Sequence, residues 1–497
     1  MRHYFPKFVA ALMVLAATLL LIFGSKPGSF VYRDGRPVPA DYTIVTYWEK
    51  WSREEAAGMQ RIVDRYNEGP GHTKKVFVQF VSVSQIDQKT LISTAGGNPP
   101  DIAGLWALQM GTFTAYGALT PLPELVNDGT IGPDIYKPYV WNLCAPVSAG
   151  GVPYAVANTP ATVALFWNKD LFREAGLDPE KPPQSIAELD EMSEKLTVID
   201  EKGNILRTGF LPNFPGWWDY CWGNFFGNTL WDPSTDTFHI DTPANIQAFK
   251  WYQGYTRKLG TKSVQTFDSG FGQFASPQNP FMSNKVAMCL QGSWFVNYIE
   301  NYTPRFADLN FTELQKRYFA GTLTREEMDL KVLESRDLFR QHYGAALPPN
   351  SFGKPGDSLI GDLDVWAIPR GAKHVAEAMD VLRFFTQQDN MEALCRSHCK
   401  PSPLINVSDE FFRMHPSPYI TIFDDMIRSQ QVAVMPVSPN WNKAYDEIRN
   451  GYRGMWKTPE SFPVEATLKA NQIVIDGYRA EYLRSVERRK AATKEGQ

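Results

Sequence analysis

Several of the 14 tryptophans in this 497-residue chain stand beside carboxylates. Trp48-Glu49-Lys50-Trp51 sets two indoles around a charge pair, and Trp106 closely follows Asp101. Gly216-Trp217-Trp218-Asp219 is followed by Trp222, Trp294 ends a Gly-Ser-Trp run, and Trp441 follows Ser438-Pro439-Asn440. An indole offers a flat apolar face, and a carboxylate accepts charge-assisted hydrogen bonds. Together they suit a guest with apolar faces and a hydroxyl rim, which is how a sugar ring is built. The same tryptophans could fill an aromatic core, and most of the 14 are expected there.

Secondary-structure patterns decide which of these residues reach a surface. TIVTYW is a β-branched and aromatic run, hence a strand. Ser52 with Glu55 three residues on predicts a capping box, and Met59, Ile62, Val63 and Tyr66 recur at helical spacing. Asn67-Glu68-Gly69-Pro70 ends that helix, and KVFVQFVSV is the next strand. Glu49 to Trp51 therefore lie in the loop of a β-α-β unit, at the carboxyl end of a strand, where open α/β sheets take ligands. Trp48 is expected to pack under that loop, and Asp101, after two prolines, to cap a turn.

The same alternation continues. Helix is expected over Gln85–Ala95, strand at VALFWN, helix at KDLFREAG, and a second capping box at Ser185 and Glu188. NKVAMCLQGSW and LDVWAI read as strands, AEAMDVLRFFTQ as a helix, and the last 60 residues as helices with a basic tail. This predicts parallel sheet covered by helices. Residues 302–342 are charge-dense and carry helix starts at Asn310 and Thr324, so a helical hairpin is expected there, either a solvated extension or a partner surface.

Composition sets bounds. Hydrophobic content of 43% and charged content of 21% fit a globular protein, and a net charge of −4 offers no basic field for nucleic acid. Five cysteines are too few for a disulfide scaffold. Cys395 and Cys399 bracket a histidine, but no second cluster completes a metal site, so a local disulfide or two buried thiols is expected. No cofactor motif, nucleophile elbow, Walker loop or H-E-x-x-H appears, so no enzyme activity is expected. Arg2 and Lys7 precede an apolar run at residues 8–23, which reads as an export signal or an uncleaved inner-membrane anchor.

Over most of 41–470 the chain resembles the family 1 extracellular solute-binding proteins of ABC importers, the group that includes maltodextrin-binding proteins. The resemblance rests on the order of LISTAGGNPPDIAGLW, LTPLPEL, GGVPYAV, ALFWNKDLFREAGLDPEKPPQSIAELDEM, NKVAMCLQGSW and the WAI strand with its helix. It implies a two-lobed α/β fold of the type II periplasmic-binding-protein class, preceded by an N-terminal hydrophobic helix. Hinge crossings are implied near 155–162, 361–366 and 400–404. The implied divisions are a signal or anchor segment over 1–40, lobe one over 41–158 with 364–402, lobe two over 160–361 with 403–480, and a tail over 481–497. The insertion 302–342 and the absent lipid-anchor cysteine depart from the family.

Carried over residue by residue, the resemblance implies sugar stacking by Trp294, Trp441, Trp106 and one of Trp217 and Trp218. It implies hydroxyl contacts from Glu49, with Trp51 and Asn158 also facing the ligand. The implied role is a monomeric, extracytoplasmic carbohydrate-binding subunit whose partners are ABC permease subunits. A non-sugar solute such as a glycerol phosphate ester or a polyamine is the alternative, as is a membrane-anchored sugar sensor.

Overall fold

The computed structural model describes residues 30–32, 34–146, 150–433 and 435–495. The expected export or anchor segment at 8–23 lies outside them. Among the described residues no helix is long and apolar enough to cross a membrane.

The strands are β1 (Thr43–Glu49), β2 (Val76–Ser82), β3 (Ile102–Trp106), β4 (Val156–Asn168), β5 (Val198–Ile199), β6 (Ile205–Phe210), β7 (Trp231–Asp232), β8 (Thr237–Phe238), β9 (Val286–Gly292), β10 (Tyr343–Ala346) and β11 (Gly361–Ala367). Nine form one sheet in the order β2-β1-β3-β11-β4-β9-β6-β5, with β10 also on β4 and β7-β8 forming a separate ribbon. One end, β2-β1-β3, is parallel, and so is the β9-β6 pair at the other. Helices cover both parts, giving two α/β lobes. Parallel pairs need crossover helices, which is why the expected β-α-β pattern is seen.

The antiparallel strands β4 and β11 join the lobes. Val156–Thr162 of β4 pair with β11, and Val163–Trp167 pair with β9. Every residue of β4 is buried, as its nearly unbroken apolar run requires. Only the second half, VALFWN, reads as strand in the sequence, because Pro160 argues against a central strand. The register explains Pro160: it faces Leu363, and Val365 then faces Ala157, so Asn158 and Thr159 together oppose Asp364. This is a bulge, a place where a sheet tolerates proline and re-aims side chains. Residues 400–404 form no strand and make only an isolated bridge, Leu404 to Tyr136.

Local chemistry departs from expectation at the first helix. Arg53–Glu68 is a helix as predicted, but Ser52 accepts no capping hydrogen bond. Glu55 faces the space between the lobes instead of closing a box. At Thr324 and Glu327 the reciprocal box does form, opening helix Arg325–His342 of the 302–342 hairpin. Gly321, at φ 70°, turns the chain between that helix and Phe311–Phe319. The hairpin is not merely solvated. Phe311, Leu314, Leu323 and Val332 bury a small cluster with Met414, and Gln315 accepts a hydrogen bond of 2.7 Å from Arg61 on helix Arg53–Glu68. All five cysteines are buried free thiols, which resolves the Cys395–Cys399 alternatives in favour of thiols.

Candidate functional site

A cleft of about 780 Å³ opens between the lobes, where the loops after β1 and β3 face the 216–220 loop, the end of β9 and the start of helix Trp441–Lys457. Six of the eight sequence-predicted residues line it: Trp51, Trp106, Trp217, Trp218, Trp294 and Trp441. They differ in how much ring they offer. Trp106, Trp218 and Trp294 are half-buried, and Trp217 is 40% exposed and leans on Phe274 at 4.5 Å between centroids. Trp218 and Trp294 form a tilted pair at 6.3 Å.

Trp441 and Trp51 are wall rather than surface. Trp441 is 1% exposed, stacked on Phe238 and flanked by Tyr220 and Tyr445. Trp51 is 4% exposed and meets the edge of His398 at 4.2 Å. Burial drives the His398 pKa down to about 3, so the ring is neutral and donates from Nε2 to the Glu55 carbonyl at 2.9 Å. Trp441→Phe should therefore cost about 1–2 kcal/mol of stability by leaving part of the indole volume empty. The expected readout is a lower melting temperature with ligand affinity changed less than about threefold.

The two predicted polar residues do not line the cleft. Asn158 is fully buried at the β4 bulge, and its amide makes no hydrogen bond to any described residue. Glu49 is fully buried as well, because it shares the inward face of β1 with Val45 and Tyr47. Its carboxylate accepts from Tyr47 Oη at 2.7 Å and from the Lys50 backbone N–H at 2.8 Å. Tyr47 in turn accepts from Trp366 Nε1 at 2.7 Å. A Cβ at Gly104 on β3 would overlap the Glu49 carboxylate, so any larger residue there would displace it from these partners. Glu49 acts on the cleft through Lys50.

Sequence reasoning passed over the charged floor of the cleft. Lys50 Nζ sits 3.2 Å from Glu49 Oε1, 3.1 Å from Asp364 Oδ1 and 3.2 Å from the Leu105 carbonyl. Lys400 Nζ lies 2.6 Å from Asp364 Oδ2 and 3.2 Å from Thr159 Oγ1. Thr159 also donates to Asp364 Oδ2 at 3.1 Å, which is what the bulge achieves. The Lys50 ammonium lies 5.1 Å from the ring centroids of both Trp51 and Trp106, and Lys400 lies 5.4 Å from that of Trp294. Charge thus fixes the rings through cation–π contacts.

These pairs tune one another. Burial would raise the Asp364 pKa, but Lys400 and Lys50 outweigh it and hold the carboxyl far below the usual carboxylate range. Burial would lower that of Lys50, but Asp364 and Glu49 hold it above its ordinary value. Burial, then the like charge of Asp364, pushes Asp362 up to about 7. One sequence signal was available: in GDLDVWA two aspartates alternate with large apolar residues inside a buried strand, an arrangement that demands partners.

Three other singled-out residues are structural. Asp101 accepts from Thr46 N at 2.8 Å and His374 N at 3.0 Å, tying β1 to the helix Val375–Phe385. Trp222 is buried in the core and donates to the Pro212 carbonyl at 3.1 Å. Trp48 packs on the core from its rim. Among the described residues no group of side chains could hold a metal ion.

Residues 50–392 match the model of the bacterial extracellular solute-binding protein family. The chain is 25% identical over 354 residues to the sn-glycerol-3-phosphate-binding periplasmic protein UgpB of Pectobacterium atrosepticum, covering 69% of this chain and 68% of that one. It is 26% identical over 177 residues to the protein of the same name from Salmonella typhimurium, spanning only 39% of that relative's length. Among solved structures, CpMnBP1 with mannotriose bound aligns at TM-score 0.69 and 23% identity, covering 87% of this chain and 100% of that one. The MalE domain from Bdellovibrio bacteriovorus bound to maltotriose aligns at TM-score 0.64 and 18% identity, covering 88% and 99%. The fold shared with them is two-lobed α/β with a curled mixed sheet.

Proposed function

Because this chain belongs to the bacterial extracellular solute-binding protein family, we propose that it captures a mono- or oligosaccharide in its cleft and delivers it to the permease subunits of an ABC importer. It does so outside the cytoplasm, as a monomer and without catalysing a reaction. The observation that carries this reading is the set of indoles facing one cleft from both lobes: Trp106 on one side and Trp217, Trp218 and Trp294 on the other. Each stacked ring adds roughly 1 kcal/mol beyond burial, and micromolar affinity needs about −8 kcal/mol, so several rings must act together. A guest touching both lobes binds the closed form better and shifts the population towards it.

The relatives named for glycerol 3-phosphate supply a second reading. A phosphate calls for cationic donors aimed at an anion. The cleft's two cations are already engaged. An ammonium has three donors, and Lys50 has three acceptors within 3.2 Å. Lys400 gives its donors to Asp364 and Thr159 and turns towards the Trp294 ring. A neutral polyol makes no such demand.

A thermal-shift screen separates the two. At a hundredfold excess over Kd a ligand stabilises the native state by about 2.7 kcal/mol. At least one saccharide should raise the melting temperature by several degrees and be recovered unchanged by chromatography. A shift with glycerol 3-phosphate and none with any saccharide would overturn the proposal.

A further inference from the structure

The charges around the cleft do not balance. Five carboxylates line it, Glu55, Asp87, Asp362, Asp364 and Asp446, against Lys50 and Lys400. The lysines are matched by Asp364 and by Glu49 beneath the floor. That leaves Glu55, Asp87, Asp362 and Asp446, none of which takes part in an ion pair among the described residues. They come from opposite sides: Glu55 and Asp87 stand at the starts of helices Arg53–Glu68 and Ile86–Ala95, Asp446 on helix Trp441–Lys457, and Asp362 on the joining strand β11. Glu55 and Asp87 have a local reason to be acidic, since each lies in the first turn of its helix. Asp446 does not, and Arg449, one turn on, lies over the Tyr445 ring instead.

Two further observations bear on what fits between them. The Trp218 ring lines the cleft, and its indole N–H has no acceptor among the described residues but is itself closed to solvent. Of the three half-buried rings, Trp106 and Trp294 already meet Lys50 and Lys400, and the Trp218 face, with no such contact among the described residues, carries the negative potential that attracts an ammonium group. The cleft therefore combines apolar faces for a ring with unmatched carboxylates. We infer that its preferred guest is a carbohydrate bearing a protonated amine, the chemistry of an amino sugar or its oligomers. This rests on the carbohydrate reading above and adds the charge of the ligand to it. Burial, then the like charge of Asp364, pushes the Asp362 pKa up to about 7, and a ligand ammonium beside it would favour the ionised form.

The test uses the full chain and titration calorimetry with matched probes: glucosamine, galactosamine and mannosamine with their short oligomers, the N-acetylated counterparts, and the parent sugars. Spermidine and glycerol 3-phosphate complete the panel. Amine-bearing sugars should bind at least about tenfold tighter than both neutral counterparts, and that ratio should shrink in about 0.5 M salt. Asp362→Asn and Asp446→Asn should each lower the ratio by about threefold or more. A merely structural role would weaken both classes equally and leave the ratio unchanged, which would overturn the inference. Neutral saccharides binding as well as or better than amines would overturn it while leaving the carbohydrate reading intact. Binding of spermidine or glycerol 3-phosphate with no saccharide, or no binding by any probe, would overturn both.

Discussion

Replacing Trp294 with alanine is expected to weaken ligand binding about 100-fold while the unliganded fold survives. The indole follows the end of β9, and a Cβ added at Gly292 would overlap its ring, so the ring lies flat against the strand end with glycine as its bed. Lys400 lies over the ring and Trp218 sits beside it, so its orientation is fixed before a ligand arrives. A half-buried indole covered by a sugar loses on the order of 100 Å² of apolar surface to the complex, about 2.5 kcal/mol, and stacking adds about 1 kcal/mol more. Part of this is offset by water entering the vacated space, so about 3 kcal/mol, or roughly 100-fold in Kd, is the expected net loss. Calorimetry on the variant measures it, with the unliganded melting temperature as the control for folding. Gly292→Ala should move the ring without altering its chemistry, and about a tenfold loss of affinity is expected from that displacement alone. Parent-like affinity in Trp294→Ala would remove the ring from the binding surface and with it the main support for sugar stacking.

The first β-α-β unit was legible because its signals are local and agree. β-branched residues, helical spacing and a Gly-Pro stop each point to the same boundaries, and β1 and helix Arg53–Glu68 follow them. The cleft indoles were legible where a Trp ends a strand or follows a glycine turn, as Trp106, Trp217, Trp218 and Trp294 do, whereas Trp51, beside Lys50, is buried in the wall. Glu49 is expected at the ligand from its loop position, whereas the strand's period of two puts it on the face of Val45 and Tyr47, which is the core. Ser52 and Glu55 show a different failure. The motif is there, but the Glu55 side chain lines the cleft and Ser52 makes no capping bond, so tertiary context overrides the local preference. The charged floor was out of reach for another reason. Lys50, Thr159, Asp364 and Lys400 converge from four separate chain segments, and only the β4–β11 pairing with its bulge brings them together.

Asp364→Asn should destabilise the protein by about 3–5 kcal/mol, because it leaves two buried ammonium groups with too little negative charge. Asp364 is one carboxylate serving two lysines, and all three side chains are almost fully buried. Lys50 keeps Glu49 in the variant, but Lys400 keeps only the Thr159 hydroxyl. The amide that replaces the carboxylate turns two N–H donors towards groups that are themselves donors. The floor also carries the lobe junction, since Asp364 and Thr159 are the two sides of the bulge in the pairing of β11 with β4. Loss of stability should therefore be accompanied by weaker ligand binding, as the rings that rest on Lys50 and Lys400 lose their fixed positions. The pH dependence has a definite sign. Asp364 has a depressed pKa in the folded state, so its contribution is present above the unfolded value of about 4 and is lost only as pH falls below it. The deficit of the variant should thus persist from pH 8 to pH 5 in urea unfolding. Removing the unmatched cation as well offers a sharper check. Lys400→Met in the Asp364→Asn background should recover at least half of the lost stability, since deleting both partners of a buried pair costs far less than deleting one. If the double variant is no more stable than the single, desolvated charge is not what Asp364 counters, and the floor is held by packing instead.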